Sequence, residues 1–143
     1  MKKIAIFFLL IIMIIASIWG MYYSYKAKIK ATSQENFIFD RNLNKEILGS
    51  ELATIINKAI DRNIKNEVEK NQNQEYKNNN INSISIEIKM KDNDKTYTME
   101  QIYNGKIQNF VLYYGEIKFK CTKIEYHRDT KLVKYMLFEQ ITQ

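Results

Sequence analysis

The chain has 143 residues, a formal net charge of +6 and one cysteine, Cys121. This length suits one modest domain with a short additional segment, and a single cysteine excludes a disulfide within the chain. Residues 1–31 contain five lysines and no acid, so residues 32–143 have 17 basic and 16 acidic residues, a net charge of +1. That balance counts against a nucleic-acid-binding domain.

An uncharged apolar segment begins the chain. Residues 4–20 contain one hydroxyl group and no charge. Extended to residue 23, the segment would measure about 30 Å as a helix, which matches the hydrocarbon core of a bilayer. Residues typical of a membrane–water boundary follow: Trp19, Tyr22, Tyr23, Tyr25, Lys26, Lys28 and Lys30. The sequence therefore predicts that residues 4–23 cross the lipid bilayer and that residues 1–31 form the anchor with its flank.

A cleaved signal peptide is the alternative to this anchor. Lys2 and Lys3 fit its basic start, but a small-x-small cleavage site is lacking, because Ile18 would stand three residues before a cut after Gly20. We therefore predict an uncleaved signal anchor in the cell membrane. The lysine counts on the two sides are nearly equal, and the short basic start favours a cytoplasmic N-terminus with an extracytoplasmic domain.

Residues 32–143 are predicted to form a small soluble α+β domain. Residues 32–44 are either a connector or a continuation of the anchor helix, and Ser50 is a plausible N-cap of the next helix. The apolar residues of that helix recur along one face: Leu52, Ile55, Ile56, Ala59 and Ile60. A core-facing helix is the simpler interpretation, and a partner-helix surface is the alternative. Residues 65–80 are polar and aperiodic, which predicts a loop or a weak hairpin.

The middle of the domain combines strand and helix patterns. Alternation with polar residues predicts a strand with one buried face: Ile84, Ile86, Ile88 and Met90. A turn at residues 92–94 leads to a short returning strand. Thr98 is then expected to cap a helix that Gly105 interrupts, and Gly115 is expected to end the segment with a positive φ.

Two strands joined by a hairpin turn at residues 128–131 end the chain. In the first strand the apolar phase slips by one residue, which predicts a β-bulge: Ile117, Phe119 and Cys121, then Ile124 and Tyr126. In the second strand, apolar residues on both faces of residues 133–138 predict a central or covered position. The predicted order after the transmembrane helix is α-β-β-α-β-β, with an antiparallel sheet and helices on one face.

The sequence contains no pattern that commits to a reaction. His127 follows Cys121 by six residues, which is roughly 20 Å along a strand, so a nucleophilic Cys–His pair is disfavoured. A buried inert thiol is the simpler interpretation of Cys121, with a reactive or intermolecular thiol as the alternative. We therefore predict a protein that is not an enzyme, with no catalytic, cofactor-binding or metal-binding residues.

Two further groups of residues have competing interpretations. Residues 92–94 read Asp-Asn-Asp as in a calcium loop, but Tyr97 and Tyr103 stand where an EF-hand needs Gly and Glu, so a solvated turn is predicted. An aromatic binding surface is one interpretation of four tyrosines, and packing in the core and on the sheet is the simpler one: Tyr113, Tyr114, Tyr126 and Tyr135.

The layout of one N-terminal apolar helix and a small sheet-containing domain resembles that of minor pilin-like or pseudopilin-type components of bacterial pilus and secretion machines. The pilin leader is absent, since Gly20 follows the apolar run and no acid precedes Glu35. We predict a structural or assembly component of a bacterial envelope that contacts another envelope protein. The alternative is an extracytoplasmic small-ligand-binding or sensor domain. A flat exposed apolar patch would favour the first, and a deep pocket with convergent charges the second.

Overall fold

The computed structural model describes residues 2–92 and 94–141. The chain divides into two compact units, residues 1–34 and 35–143. Helix α1 spans Lys2–Asp40, so residues 35–40 belong to the second unit. The other elements are β1 (Glu46–Leu48), α2 (Gly49–Lys65), β2 (Ser85–Lys89), β3 (Thr96–Thr98), α3 (Met99–Asn104), α4 (Ile107–Tyr114), β4 (Lys118–Tyr126) and β5 (Val133–Gln140).

The first unit is a single apolar helix. In the part of the chain that the structure describes, one helix is long and apolar enough to cross a membrane, within Ile4–Asp40. Its side chains from residue 4 to residue 31 are exposed. The hydroxyl of Ser17 donates to the carbonyl oxygen of Ile14 at 2.7 Å, which satisfies that polar group inside the helix. This helix is compatible with a single-pass membrane anchor.

The last residues of α1 belong to the folded domain. Of the two structures predicted for residues 32–44, a continuation of the first helix is therefore the one found for most of them. The helix continues to Asp40, and Asn42 and Leu43 then turn the chain towards β1. The sequence does not predict β1, since three residues are too few to show an alternation. The strand forms where Ile47 pairs with Phe119 along the edge of β4.

Five strands in the described residues form one mixed sheet in the order β1-β4-β5-β2-β3. β4 is antiparallel to both of its neighbours, and β2 is antiparallel to β3. β2 and β5 are parallel, so the prediction of a wholly antiparallel sheet is wrong. The chain between these two strands is long enough for a crossover, because it contains α3 and α4.

The predicted order of elements is correct only in part. β1 precedes α2, and two helices replace the single helix expected after β3. Two strand predictions are confirmed: β5 lies at the centre of the sheet, and β4 has a register shift between Cys121 and Lys123.

One face of the sheet packs against the helices and forms the core. Side chains of neighbouring strands meet on this face and are fully or almost fully buried: Ile86, Ile88, Phe119, Cys121, Met136 and Phe138. The predicted apolar stripe of α2 is buried in the same cluster: Leu52, Ile55, Ile56, Ala59 and Ile60. The predictions of a core-facing helix and of a strand with one buried face are thus confirmed.

The junction between β1 and α2 differs from the prediction. α2 begins at Gly49 with the extended Leu48 as its N-cap residue, and the Leu48 N–H donates to Glu51 Oε2 at 3.3 Å. Ser50 is therefore not the cap, because the strand leads directly into the helix. A Cβ atom at Gly49 would collide with the backbone carbonyl oxygen of Tyr114, so the close approach of α2 and the end of α4 requires glycine.

The segment after β3 confirms two predictions and contradicts one. Thr98 Oγ1 accepts from the Gln101 N–H at 3.3 Å, so Thr98 caps α3, and Gly105 separates α3 from α4. Gly115 has a φ of −56°, so the positive φ predicted there is wrong. The positive φ falls on Lys106, at 67°, because the chain must turn between two helices that touch each other.

Residues 66–84 form a polar connection in which Lys70 and Tyr76 make one isolated bridge. The predicted loop or weak hairpin is therefore present, with its end held by Asn79. The side-chain oxygen of Asn79 accepts from the N–H groups of residues 81, 82 and 83. The turn predicted at residues 92–94 is centred on Asn93, which lies outside the described residues, as does Met1.

Candidate functional site

Cys121 and His127 have separate partners. The Cys121 thiol is buried, donates to the Lys123 carbonyl oxygen at 3.6 Å, and has its pKa raised by that burial to about 11. Such a thiol is mostly protonated at neutral pH, which agrees with the predicted inert role. His127 Nε2 lies 2.7 Å from the Ser83 carbonyl oxygen and must donate to it, so this buried ring joins the β4–β5 hairpin to the chain before β2.

The four tyrosines do not share one environment. Tyr135 donates to Glu87 and Tyr126 donates to Asp40, each at 2.8 Å. Burial first and the acceptor carboxylate second raise the pKa of Tyr126 to about 12, and the pKa of Tyr135 rises for the same two reasons. Tyr114 stacks on Phe110, whereas Tyr113 is exposed. These different partners do not indicate a common aromatic surface.

The sheet face opposite the core is a balanced charged surface. Lys120, Glu139 and Lys89 lie side by side on β4, β5 and β2, so opposite charges are neighbours across the strands. Partly buried Tyr135 and Leu137 lie at its centre. No group of three His, Cys, Asp or Glu within residues 2–92 and 94–141 is placed to hold a metal ion.

Large apolar side chains are exposed on the outward side of α4. The helix reads IQNFVLYY and contains no charged residue. Phe110 points into the core, where its ring centroid lies 5.9 Å from that of Phe119. Leu112 and Tyr113 are 76% and 73% exposed, and Val111 is also exposed. A surface helix normally carries mostly polar side chains on this side, whereas α4 exposes three large apolar residues beside the polar Gln108 and Asn109.

Tyr103 on α3, a helix that contacts α4, is also exposed. We call the four exposed residues Tyr103, Val111, Leu112 and Tyr113 the α4 surface. Single exposed apolar residues need no explanation, but several on one short uncharged helix make this helix a candidate for binding another molecule. The sequence contains this signal, because residues 110–114 are apolar without a break.

A pocket of about 420 Å³ lies between the end of α1 and the start of α2. Its acidic groups already have partners. Glu46 forms an ion pair with Lys118 at 3.4 Å, and Glu51 accepts from the Leu48 N–H. Arg41 at its rim lies over the ring of Phe37 at 5.9 Å. These contacts explain the positions of Arg41, Glu46 and Glu51 in this pocket without a ligand.

Another pocket, of about 370 Å³, lies between the end of α1 and the last turns of α2. We call it the Arg62 pocket, and its walls are Glu35, Ile38, Phe39, Lys58, Asp61, Arg62, Lys65 and Asn66. The guanidinium nitrogens Nε, Nη1 and Nη2 of Arg62 are buried and have no hydrogen-bond partner among the described residues. The Phe39 ring centroid lies 5.7 Å from the guanidinium carbon.

Burial is what dominates the electrostatics of Arg62. It lowers the pKa of the guanidinium, and the negative charge of Glu35 opposes this effect. The guanidinium nevertheless stays charged at neutral pH, and burying its nitrogens without hydrogen bonds carries a desolvation cost. Sequence reasoning missed Arg62, because its neighbours Glu35 and Phe39 are more than 20 residues away along the chain.

The chain matches no protein-family model, and neither the curated proteins nor the solved structures contain a match to it. Its function is therefore inferred from its own residues, chiefly from the α4 surface and the Arg62 pocket.

Proposed function

We propose that the protein is a single-pass component of a bacterial cell envelope, and that its domain binds another envelope protein through the α4 surface. α1 anchors the chain, with the N-terminus in the cytoplasm and residues 35–143 outside it. The role is structural or concerned with assembly, and not enzymatic. The observation that carries this proposal is the exposure of three large apolar side chains on one uncharged helix.

Binding at the α4 surface has a clear energetic source. Fully burying a side chain such as Leu112 contributes roughly 1.5–3 kcal/mol. Aromatic residues, here Tyr103 and Tyr113, are enriched at the centres of protein interfaces. The core residue Phe110 fixes α4 against the sheet, so the outward side chains are presented by a packed helix and not by a loop. The resemblance in layout to minor pilin-like components fits such a role and stays a prediction.

A photo-crosslinking residue in place of Tyr113 tests this proposal in intact membranes of the native cell. We expect a discrete protein adduct that disappears when the substitution Leu112→Lys is introduced into the same chain. The matched control carries the crosslinker at exposed Lys89 on β2 and should give no such adduct. Equal adducts at both positions, no adduct at position 113, or an adduct with lipid alone would contradict a protein partner at α4.

The second candidate function is a small-ligand-binding domain. The observation in its favour is the unpaired Arg62 guanidinium beside a pocket.

A further inference from the structure

The shape of a guanidinium such as that of Arg62 suits a planar anionic partner. A guanidinium has five N–H groups in a rigid fork, which matches the two oxygens of a carboxylate or phosphate group. Buried polar groups are nearly always hydrogen-bonded, so three buried nitrogens without a partner require an explanation. We propose that the Arg62 pocket binds an oxyanion, a phosphate or carboxylate group, through the Arg62 guanidinium. This ligand site is additional to the proposed partner surface on α4.

The cations of α2 support this assignment by their spacing. Lys58, Arg62 and Lys65 are four and three residues apart, which places them on one side of the helix, and all three line the pocket. Asp61 and Glu35 are the acidic residues of the lining, so the cations outnumber them by one. A small oxyanion therefore meets a net positive site with one buried donor group at its base.

A purely structural role explains Arg62 less well. Cations near a helix C-terminus stabilise it, often by donating to its last carbonyl groups, and Arg62 lies in the last turn of α2. Its nitrogens, however, donate to no carbonyl oxygen among the described residues. The Phe39 ring offers a favourable cation–π contact but accepts no conventional hydrogen bond. Neither the helix C-terminus nor the Phe39 ring therefore accepts a hydrogen bond from the guanidinium.

Glu35 is the competing internal anion. Its charge acts on Arg62, but its carboxylate is exposed and does not accept a hydrogen bond from the guanidinium. Because the nitrogens are buried, an entering anion must displace side chains at the rim, and the exposed Lys58, Lys65 and Glu35 are long enough to turn aside. Replacing Glu35 by Gln should therefore strengthen binding of an external anion.

The volume of the pocket suits a small group. A water molecule occupies about 30 Å³ in the liquid, so a pocket of about 370 Å³ holds a phosphate or a small carboxylate with room for hydration. This volume lies at the lower end of the usual range for ligand pockets. A phosphate group can come from a soluble compound or from an anionic lipid headgroup, and both would present the same oxygens to Arg62.

The test uses the ¹⁵N-labelled full chain in detergent, with inorganic phosphate or acetate added against chloride at constant ionic strength. We expect one of the two anions to shift the Arg62 Nε–H signal saturably in the millimolar range. The signal is assigned by its loss in Arg62→Lys. The midpoint of thermal unfolding should rise with the same anion in the wild type and in the control Arg128→Lys, but not in Arg62→Lys. Glu35→Gln should lower the anion concentration needed for half of the maximal shift of the Arg62 signal.

The source of the anion is resolved in lipid nanodiscs without added phosphate or acetate. A shift of the Arg62 signal by phosphatidic acid, relative to phosphatidylcholine, assigns the site to a lipid headgroup. A shift only with the soluble anion assigns it to a soluble compound. The proposal is overturned if no anion moves the signal, or if the anions act equally on wild type and Arg62→Lys. It is also overturned if Glu35→Gln raises the anion concentration needed for the shift, because removing a competing negative charge must favour an external anion.

Discussion

Buried asparagine side chains join distant parts of this domain at the residue scale. Asn63 donates to the Ile84 carbonyl oxygen at 2.8 Å and accepts from the Ile84 N–H at 2.9 Å. Asn36 does the same at the β4–β5 hairpin, donating to the Lys131 carbonyl oxygen and accepting from the Val133 N–H. Each side-chain amide makes the two backbone hydrogen bonds that a neighbouring strand would otherwise make. Asparagine side chains can therefore be buried in this domain with their polar groups satisfied.

Asn63→Ala should lower the free energy of unfolding by about 3 kcal/mol. The substitution leaves the N–H and the carbonyl of Ile84 buried without partners, and each such group costs roughly 1–3 kcal/mol. Urea unfolding of the full chain in detergent, followed by near-ultraviolet circular dichroism, measures the change. The control Asn78→Ala, at an exposed loop position, should change stability by less than about 0.5 kcal/mol. An effect of Asn63→Ala as small as the control would refute this role of the amide.

The free energy of unfolding should fall as the pH rises from about 9 to about 11. Burial raises the pKa of Cys121 from 9.0 to about 11, so the folded state keeps a proton that the unfolded state loses. This contribution is fully present below pH 9 and disappears as the pH passes through the folded-state pKa. One extra bound proton gives a slope of roughly 1.4 kcal/mol per pH unit. Raised pKa values of Tyr126 and Tyr135 act in the same direction.

Urea unfolding at a series of pH values measures this slope. Cys121→Ala should make it shallower, because the tyrosines alone then contribute. A free energy of unfolding that stays constant between pH 9 and pH 11 in the wild type would contradict the buried position of the thiol.

At the scale of elements, α4 has apolar residues on both its buried and its exposed side, and we propose different roles for them. Phe110 is buried between Tyr114 and Phe119, whereas Leu112 on the same helix is exposed. If the exposed side binds a partner, its residues contribute to binding and not to folding. This separation makes the two residues a matched pair for mutation.

Phe110→Ala should cost about 3–5 kcal/mol of stability, because it leaves a cavity in the core. Leu112→Ala should change the free energy of unfolding by less than about 0.5 kcal/mol, yet weaken the crosslink formed from position 113. Urea unfolding and crosslinking yield measure the two effects. A large loss of stability in Leu112→Ala would mean that this side chain is part of the fold, and the proposed partner surface would then be wrong.

The elements that the sequence predicts correctly are those with a local pattern. The stripe of α2, the alternation before Met90 and the cap at Thr98 depend on residues close together in the chain. The parallel pairing of β2 with β5 could not be predicted, because alternation determines which side chains face the core but not which strand lies beside them. The Arg62 pocket could not be predicted for the same reason, since residues of α1 and α2 form it together.

At the scale of the whole molecule, charge and hydropathy divide the chain into two parts of different composition. Residues 1–31 carry five lysines and no acid around an apolar helix, whereas the remainder is nearly neutral. Just after the apolar run, that helix places Lys26 over the ring of Tyr22 at 4.9 Å, a pairing suited to the membrane–water boundary. The basic character of the chain thus belongs to the proposed anchor and not to the domain.

Membrane extraction tests the central claim most directly. Full-length protein with a C-terminal tag is followed through an alkaline carbonate wash of isolated membranes and then through detergent. We predict that the intact chain stays in the membrane pellet after carbonate and is released only by detergent, because lipid solvates residues 4–23. Recovery of the intact chain in the soluble fraction without detergent, or of a shortened chain lacking the apolar helix, would contradict an uncleaved membrane anchor.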